Sequence, residues 1–499
     1  MAITKEYGPS YAYLHGAFEP ITFVITSTNY PSAFFKFKFI ADIYVESNDS
    51  PYAYELQARI KILPNLAGAG VFRIDKIVAD FMAITTGDPS TSAAGFVNDT
   101  IHTLGSNAST RIWTENEGSN YRKIKVNFGE EYATTADLAP IEYPDLLIDQ
   151  FVSCVMSAGM QMKINNHTYD EGGVYTATGD NYLSYFTPNT NNKKILSDRV
   201  VNREYTSTLA SNLFVINQDV TNYEWRTLGV LMDAASPVSS EAVSAYVALF
   251  DSTGSVLYAG FFTASTDGGT APADSDHDFE RLQYFGVGPQ NLVYQSIHPD
   301  FSSAFINELV AHYEVFFMND STTVPSNFTS SSMASRCYRF EVKPASCIYR
   351  SLNPQKYNYV TLAWQNSLGA WDYQAFALKH QRTTGSIERK TFDQVAGNWD
   401  TAGTGVQFAY RGDQGGQTTT QVTARQTMVA NTDIYNEDEV DFLENLWLSP
   451  KVQLLNYDGS AIPITITGKN WVRKNNLNEG GPFTYQITFE YGKQRPTVR

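Results

Sequence analysis

The chain is 499 residues long with a formal net charge of −16, and only 18% of its residues are charged against 14% aromatic. About three domains of ~150 residues fit that length. An acidic chain without a Lys/Arg cluster excludes a phosphate-binding, sequence-specific nucleic-acid surface; three scattered cysteines exclude a disulfide framework or zinc site; no apolar run reaches the length of a membrane span.

Thirty-one tyrosines and 30 phenylalanines, among many Thr, Ser, Asn and Gly, favour strands and turns over helices. Met1-Ala2-Ile3-Thr4-Lys5-Glu6-Tyr7 lacks the basic and apolar regions of a signal peptide, so synthesis in the cytoplasm is expected. Asn166-His167-Thr168 then reads as ordinary loop composition rather than a glycosylation site.

In the first segment Ile21, Phe23 and Ile25 alternate, as do Phe35, Phe37 and Phe39, and Arg59-Ile60-Lys61-Ile62 adds a further strand. Pro64-Asn65 and Gly68-Ala69-Gly70 mark turns, and Ile74, Ile77, Val78, Phe81 and Met82 fit a short helix. Residues 85–107 are polar and predict a long loop that is functional or covered by a neighbouring subunit. Strands resume over 121–132, where the adjacent Glu130 and Glu131 point to opposite faces and cannot act as a catalytic pair alone. Further strands and turns follow from 147 to 215.

From 223 to 343 the pattern predicts a second sandwich. Ala245 to Phe250 and Val256 to Phe262 flank Asp251-Ser252-Thr253-Gly254-Ser255, a hairpin signal. Phe305, Ile306, Leu309, Val310 and Tyr313 predict a helix giving way to strand at Phe316, and 321–332 is a polar loop. In the last segment Asn436 has capping-box spacing to Glu439, with Tyr435 and Val440 as a hydrophobic staple. Val440, Leu443, Leu446 and Trp447 form one helical stripe that Pro450 ends. Val452 and Leu454, then Ile462, Ile464 and Ile466, then Phe483 to Tyr491, alternate as strands.

These patterns predict a mainly β chain of several β-sandwich domains: an N-terminal β domain (1–84), a second β region with the polar loop (85–215), a middle β-sandwich (216–345) and a C-terminal β domain with one flanking helix (346–499). Candidate chemistry is sparse. Asp274, Asp276 and Asp278 alternate like the start of a calcium loop, but the Gly at the sixth place and the closing Glu are missing, so a solvated acidic loop is the stronger reading. The seven histidines make no His-x-x-x-His pair, and Gly-x-Ser-x-Gly, the dinucleotide glycine loop and the phosphate-loop Gly-Lys-Ser/Thr are all missing. No catalytic residue and no cofactor is expected. Cys337 and Cys347 are either bridged or, the favoured reading, buried free thiols. Alternation of Val360, Leu362 and Trp364 favours a core role for Trp364, whereas Trp371, beside the Gly369-Ala370 turn, and Tyr373 are candidate interface residues.

The run Val360-Thr361-Leu362-Ala363-Trp364-Gln365-Asn366-Ser367-Leu368-Gly369-Ala370-Trp371-Asp372-Tyr373 resembles a signature of tail-associated structural proteins of bacteriophages, especially those infecting Bacteroidetes. As in that family, a basic strand (Ile387-Glu388-Arg389-Lys390-Thr391), an acidic helix ending in Ser449-Pro450 and closing strands to Tyr491 follow. The opening Phe37 to Val45 and Gly68 to Phe72 are also similar. The resemblance implies a C-terminal β-sandwich like that of tail-tube or hub proteins. It also implies a virion structural protein of a tail or baseplate that forms a ring or collar with copies of itself and neighbouring tail proteins. Two alternatives stand beside it: a receptor- or host-glycan-binding tail protein using the middle sandwich, and a glycosidase built on two carboxylates.

Overall fold

The computed structural model describes residues 3–8, 14–17, 21–31, 34–46, 54–81, 101–104, 112–115, 121–156, 195–199, 202–210, 214–233, 244–263, 280–295, 300–318, 337–343, 360–376, 378, 380–400, 407–410, 415–434, 441–456, 458–471 and 483–492. The chain is mainly β, with short helices. It divides into two compact units: the first is Met1–Asn358 with Trp364–Tyr373 and Tyr457–Ser460, and the second is Tyr359–Ala363, Gln374–Asn456 and Ala461–Arg499.

The first unit opens with a three-stranded sheet (Ile3–Tyr7, Thr22–Ser27, Gly70–Arg73) and a five-stranded sheet ordered Leu14–Gly16, Ile141–Met156, Tyr121–Ala133, Phe35–Glu46, Tyr54–Ile62. Alternation puts Phe23 and Ile25, Phe37 and Phe39, and Ile124, Val126 and Phe128 into one core, which the helix Asp75–Asp80 closes with Val78. The opposite face of the larger sheet is a ladder of opposed charges. Arg59 grips Asp42 through Nε at 2.6 Å and Glu142 through Nη1 at 2.8 Å, and Lys61 bridges Glu131 and Glu142. Glu130 and Glu131 do serve different partners, Asn29 for the first and Lys38 and Lys61 for the second.

Further along, a six-stranded sheet runs in the order Asn202–Thr206, Phe214–Thr221, Tyr338–Lys343, His312–Met318, Ser244–Phe250, Val256–Thr263. A three-stranded sheet of Thr227–Asp233, Glu280–Gly286 and Ile112–Glu115 accompanies it. Both contribute to one core with the helices Pro289–Gln295 and Phe301–Ile306, through Leu228, Val247, Phe285, Leu292, Phe305, Phe317 and Phe340. The six-stranded sheet is apolar on its other face too, where Val215, Tyr246, Phe250, Phe316 and Cys337 cluster. With both faces covered, His312–Met318 is buried from end to end. Its strand begins at His312, four residues before the switch at Phe316 that the sequence suggests, because the helix stops at Ile306. Cys337 is a free, buried thiol, pushed well above its ordinary pKa by burial; Cys347 lies outside the described residues.

A seven-stranded sheet is ordered Trp371–Phe376, Val360–Gln365, Val452–Leu455, Ala461–Ile466, Phe483–Tyr491, Gly416–Ile434, Gln381–Gln394; apart from Trp364, Gln365 and Trp371–Tyr373 its residues belong to the second unit. The helix Asp441–Leu448 buries Leu443 and Leu446, as the stripe predicts, and Phe442 besides, while Trp447 of the stripe is half-buried; residues 435–440, Val440 and the capping residues among them, lie outside the described residues. In Ala461–Ile466 only Ile464 is buried, with Ile462 and Ile466 half-buried.

Strand pairings cross two of the boundaries drawn from sequence, Leu14–Gly16 with Ile141–Met156 and the Ile195–Val230 bridge among them. Phe35–Glu46 pairs with Tyr121–Ala133 across position 84, and Ile112–Glu115 pairs with Glu280–Gly286 across position 215.

Four loops share the pattern Asn/Asp-x-x-Gly-Ala/Ser: Asn65 to Ala69, Asp251 to Ser255, Asn366 to Ala370 and Asn456 to Ser460. In the first three the side-chain oxygen of the leading residue accepts from the backbone N–H groups two and four residues on, at 2.8–3.0 Å. All four glycines sit at φ of +80 to +84°, where a Cβ is strained.

Candidate assembly interface

Strand Gly416–Ile434 is 19 residues long, and its two halves are in different surroundings. From Thr427 to Ile434 it pairs with Phe483–Tyr491, and from Thr427 to Val429 it lies between that strand and Gln381–Gln394, with Met428, Ala430 and Thr432 buried. Before Thr427 its register with Phe483–Tyr491 ends, and among the described residues only Gln381–Gln394 flanks it. The pair therefore continues as a two-stranded ribbon from the Thr383–Thr427 rung to the Gln394–Gly416 rung. Eleven residue-to-residue steps of ~3.3 Å make it about 36 Å long.

The residues explain why the ribbon forms without a core. Thr383, Thr384, Thr391, Thr418, Thr419, Thr420, Val422 and Thr423 are β-branched and suit a pleated surface. Thr420 Oγ1 donates to the Lys390 carbonyl at 3.0 Å, and Thr418 Oγ1 to Gln394 Oε1 at 3.1 Å. Register shifts between Gly385 and Glu388 and between Lys390 and Thr391 add twist, and Ser386 takes the extra residue at φ +49°. At the base Arg382 donates to Gln426 and lies over the Tyr491 ring at 5.0 Å, while Arg425 pairs with Glu490 at 3.4 Å. Beyond the ribbon, Gly397–Asp400 pairs with Gln407–Tyr410 as a small hairpin. Gly415 closes back against Ala396, where an added Cβ would lie 2.5 Å from the alanine Cβ.

Nearly all of Gln381–Gln394 is exposed, including apolar side chains. Ile387 is 47% and Phe392 48% exposed, and Val395 reaches 68%. The ribbon's own charge opposes that of the chain: residues 381–394 and 416–426 hold four Lys and Arg (Arg382, Arg389, Lys390, Arg425) against two carboxylates (Glu388, Asp393).

The residues singled out from sequence lie elsewhere. Trp371 and Tyr373, expected at an interface, are interior residues of the first unit, 1% and 2% exposed. The turn beside them is itself buried, Leu368 and Ala370 included, so the glycine marks a buried loop and not a surface one. His102 meets Trp371 edge-on at 4.8 Å, and its Nδ1 is 2.8 Å from the Tyr373 hydroxyl. That hydroxyl also lies 2.6 Å from Thr227 Oγ1, and burial holds the phenol far above its usual pKa. The Tyr373 carbonyl accepts from Gln218 Nε2 at 2.6 Å and Arg199 Nη2 at 2.9 Å. Asp372 accepts from Ser197 Oγ at 2.6 Å and the Asp198 backbone N–H at 2.9 Å; its carboxyl is raised by burial. Asn291 ties in the 101–104 turn through the His102 and Leu104 carbonyls. Of the 85–107 loop, then, residues 101–104 are described and buried in the first unit; the rest lies outside the described residues, as do Asp274, Asp276 and Asp278.

A second buried polar cluster carries no sequence signal. Glu314, fully buried, accepts from Thr208 N at 2.6 Å and Ser207 Oγ at 2.8 Å, and burial raises its carboxyl. His312 stacks on Phe250 and reaches Thr208 Oγ1 at 2.9 Å; burial, assisted by Arg339, lowers it to about 4. Both groups hold the 207–210 turn against the sheet, a structural task.

Among the described residues no group of three or more His, Cys, Asp or Glu is arranged to hold a metal ion, and no helix is long and apolar enough to cross a membrane.

No family model and no curated protein matches the chain. Among solved structures it is similar to the tail of an empty gene-transfer-agent (GTA) particle with C6 symmetry, at 13% identity and a TM-score of 0.15 over 28% of this chain and 96% of that one. It is also similar to Escherichia coli alpha-2-macroglobulin, at 8% identity and a TM-score of 0.18 over 86% of this chain and 22% of that one.

Proposed function

We propose that this chain is a structural subunit of a bacteriophage tail or baseplate, that it assembles with copies of itself and with neighbouring tail proteins, and that the ribbon is its assembly arm. The tail assignment rests on the sequence resemblance around 360–373, 387–391 and 441–491. The observation that carries the assembly role is the ribbon.

A lone two-stranded ribbon is marginal in water. This one leaves Ile387 and Phe392 in solvent, with Val395 just beyond it, and among the described residues its outer edges are unpaired, a state natural proteins otherwise cover or protect. Covering the exposed half of Phe392, about 100 Å², contributes roughly 2.5 kcal/mol. Three such side chains, with main-chain pairing, suffice to order the arm on a neighbour. The polar networks at Tyr373 and Glu314 are buried and hold turns of the chain in place, and binding, not turnover, is the role we assign.

The test is sedimentation of the full chain beside a variant in which residues 386–424 are replaced by a two-residue turn. The full chain should form concentration-dependent oligomers and the variant should remain a folded monomer. Equal oligomerisation of the two would remove the arm from the account.

A further inference from the structure

Edge strands that stay unpaired normally carry charge, because a Lys or Glu there discourages addition of another strand. Most of the described edges in this chain obey that rule. Tyr54–Ile62 carries Glu55, Arg59 and Lys61, Asn202–Thr206 carries Arg203 and Glu204, and Ile3–Tyr7 carries Lys5 and Glu6. Thr227–Asp233 ends on Asp233 and Gln381–Gln394 has five charged residues, while Trp371–Phe376 is itself largely enclosed, with Trp371, Asp372 and Tyr373 buried.

Two edges of five or more residues break it. One is the ribbon segment 416–424, Gly-Gln-Thr-Thr-Thr-Gln-Val-Thr-Ala, nine residues without a charge. The other is Val256–Thr263, Val-Leu-Tyr-Ala-Gly-Phe-Phe-Thr, eight residues without a charge or a proline, which ends the six-stranded sheet among the described residues. Val256–Thr263 is held on its inner side by Ser244–Phe250 in continuous register from Tyr258 to Thr263, with one shift at Leu249/Phe250, so it offers a supported edge. Among the described residues the ribbon segment is held only by Gln381–Gln394.

We infer that segment 416–424 of one copy adds to the Val256–Thr263 edge of a second copy, as a seventh strand of that sheet. The inference rests on the assembly role proposed above and names the surface that receives the arm. The match is one of length, eight residues against nine, and of charge, since neither strand brings an ion that pairing would strip of water. Main-chain hydrogen bonds supply the affinity, and the Thr methyl groups of the ribbon lie alongside the apolar side chains of the template. The contact joins two different surfaces, so it is heterologous: repeated from copy to copy it closes into a ring or continues as a helix.

The test uses full-length protein in two preparations, one carrying Ala259→Cys and the other, in turn, Thr419→Cys, Thr420→Cys or Gln421→Cys. On mild oxidation a mixed disulfide dimer should form between the two preparations for at least one position, and neither preparation should cross-link with itself to that extent. The doubly substituted Thr419→Lys/Thr420→Lys chain should need at least tenfold higher concentration for half-assembly. In the wild type, amide exchange at 416–424 and at 256–263 should slow together, tenfold or more, when the chain assembles; this readout needs no variant. Assembly without cross-linking, or with exchange unchanged at 256–263, overturns the inference and leaves the assembly role standing. A chain that stays monomeric throughout overturns both.

Discussion

Replacing Tyr373 with Phe removes one oxygen from the interior of the first unit and changes almost no volume. That oxygen lies 2.6 Å from Thr227 Oγ1 and 2.8 Å from His102 Nδ1, and both partners are 0% exposed. A buried polar group that loses its partner costs about 1–3 kcal/mol, because the water it would otherwise bind is excluded. Two groups lose a partner here, and His102 keeps other contacts. The expected loss is therefore about 2–3 kcal/mol, well above the near-zero cost at an exposed tyrosine. Tyr205→Phe, at 38% exposure, is the control and should cost under ~0.5 kcal/mol. Urea unfolding should be followed by a probe in the first unit, since two compact units need not unfold as one. The midpoint should fall with the slope unchanged. A loss below ~0.5 kcal/mol at Tyr373 would refute the network as a determinant of that unit's stability.

Gly129→Ala should cost more than 2 kcal/mol in the same assay, because the new Cβ would meet the Tyr143 carbonyl oxygen at 2.5 Å and Pro144 Cα at 2.8 Å, both backbone. Asn366→Ala removes both the oxygen that accepts from the Leu368 and Ala370 N–H groups and the Nδ2 that donates to the buried Leu196 carbonyl, and should lower stability by about 2–3 kcal/mol; Asn366→Asp keeps the acceptor but loses the donor, and should recover only part of that. His312 is lowered to about 4 in the fold against an ordinary 6.5, so the unfolded chain takes up its proton first as pH falls. Its contribution is present above pH 6.5 and drains away between 6.5 and 4. At about 1.4 kcal/mol per pKa unit, wild type should lose about 3 kcal/mol more than His312→Gln over that window in urea titrations. Burial raises Glu314 and so acts in the opposite sense, but it does so in both proteins and cancels in the comparison.

The legible part of this fold is the part with a one-sided environment. Phe23 and Ile25, Phe37 and Phe39, and Tyr485 and Ile487 alternate because one face meets a core, and each lies in a strand that the sequence predicts. Asp251-Ser252-Thr253-Gly254-Ser255 is a hairpin turn for a local reason, an Asp oxygen facing its own backbone and a glycine at positive φ. Its three sequence echoes were there to be found by spacing. The ribbon is harder to see. Residues 416–424 are solvated on both faces, so no apolar period marks them, and only Thr and Val content hints at strand. Trp371 misleads because a glycine turn usually lies on the surface, and nothing local says that this one is enclosed. The parallel pairing of Phe214–Thr221 with Tyr338–Lys343 joins segments more than a hundred residues apart, which no local pattern encodes.

Imaging the purified, full-length chain by electron microscopy most directly tests whether its arm is an assembly element. The account predicts rings or helical arrays in which the 381–394/416–426 ribbon of each copy lies along its neighbour. Isolated 55.6 kDa particles at every concentration, with that ribbon standing free in solvent, would contradict it.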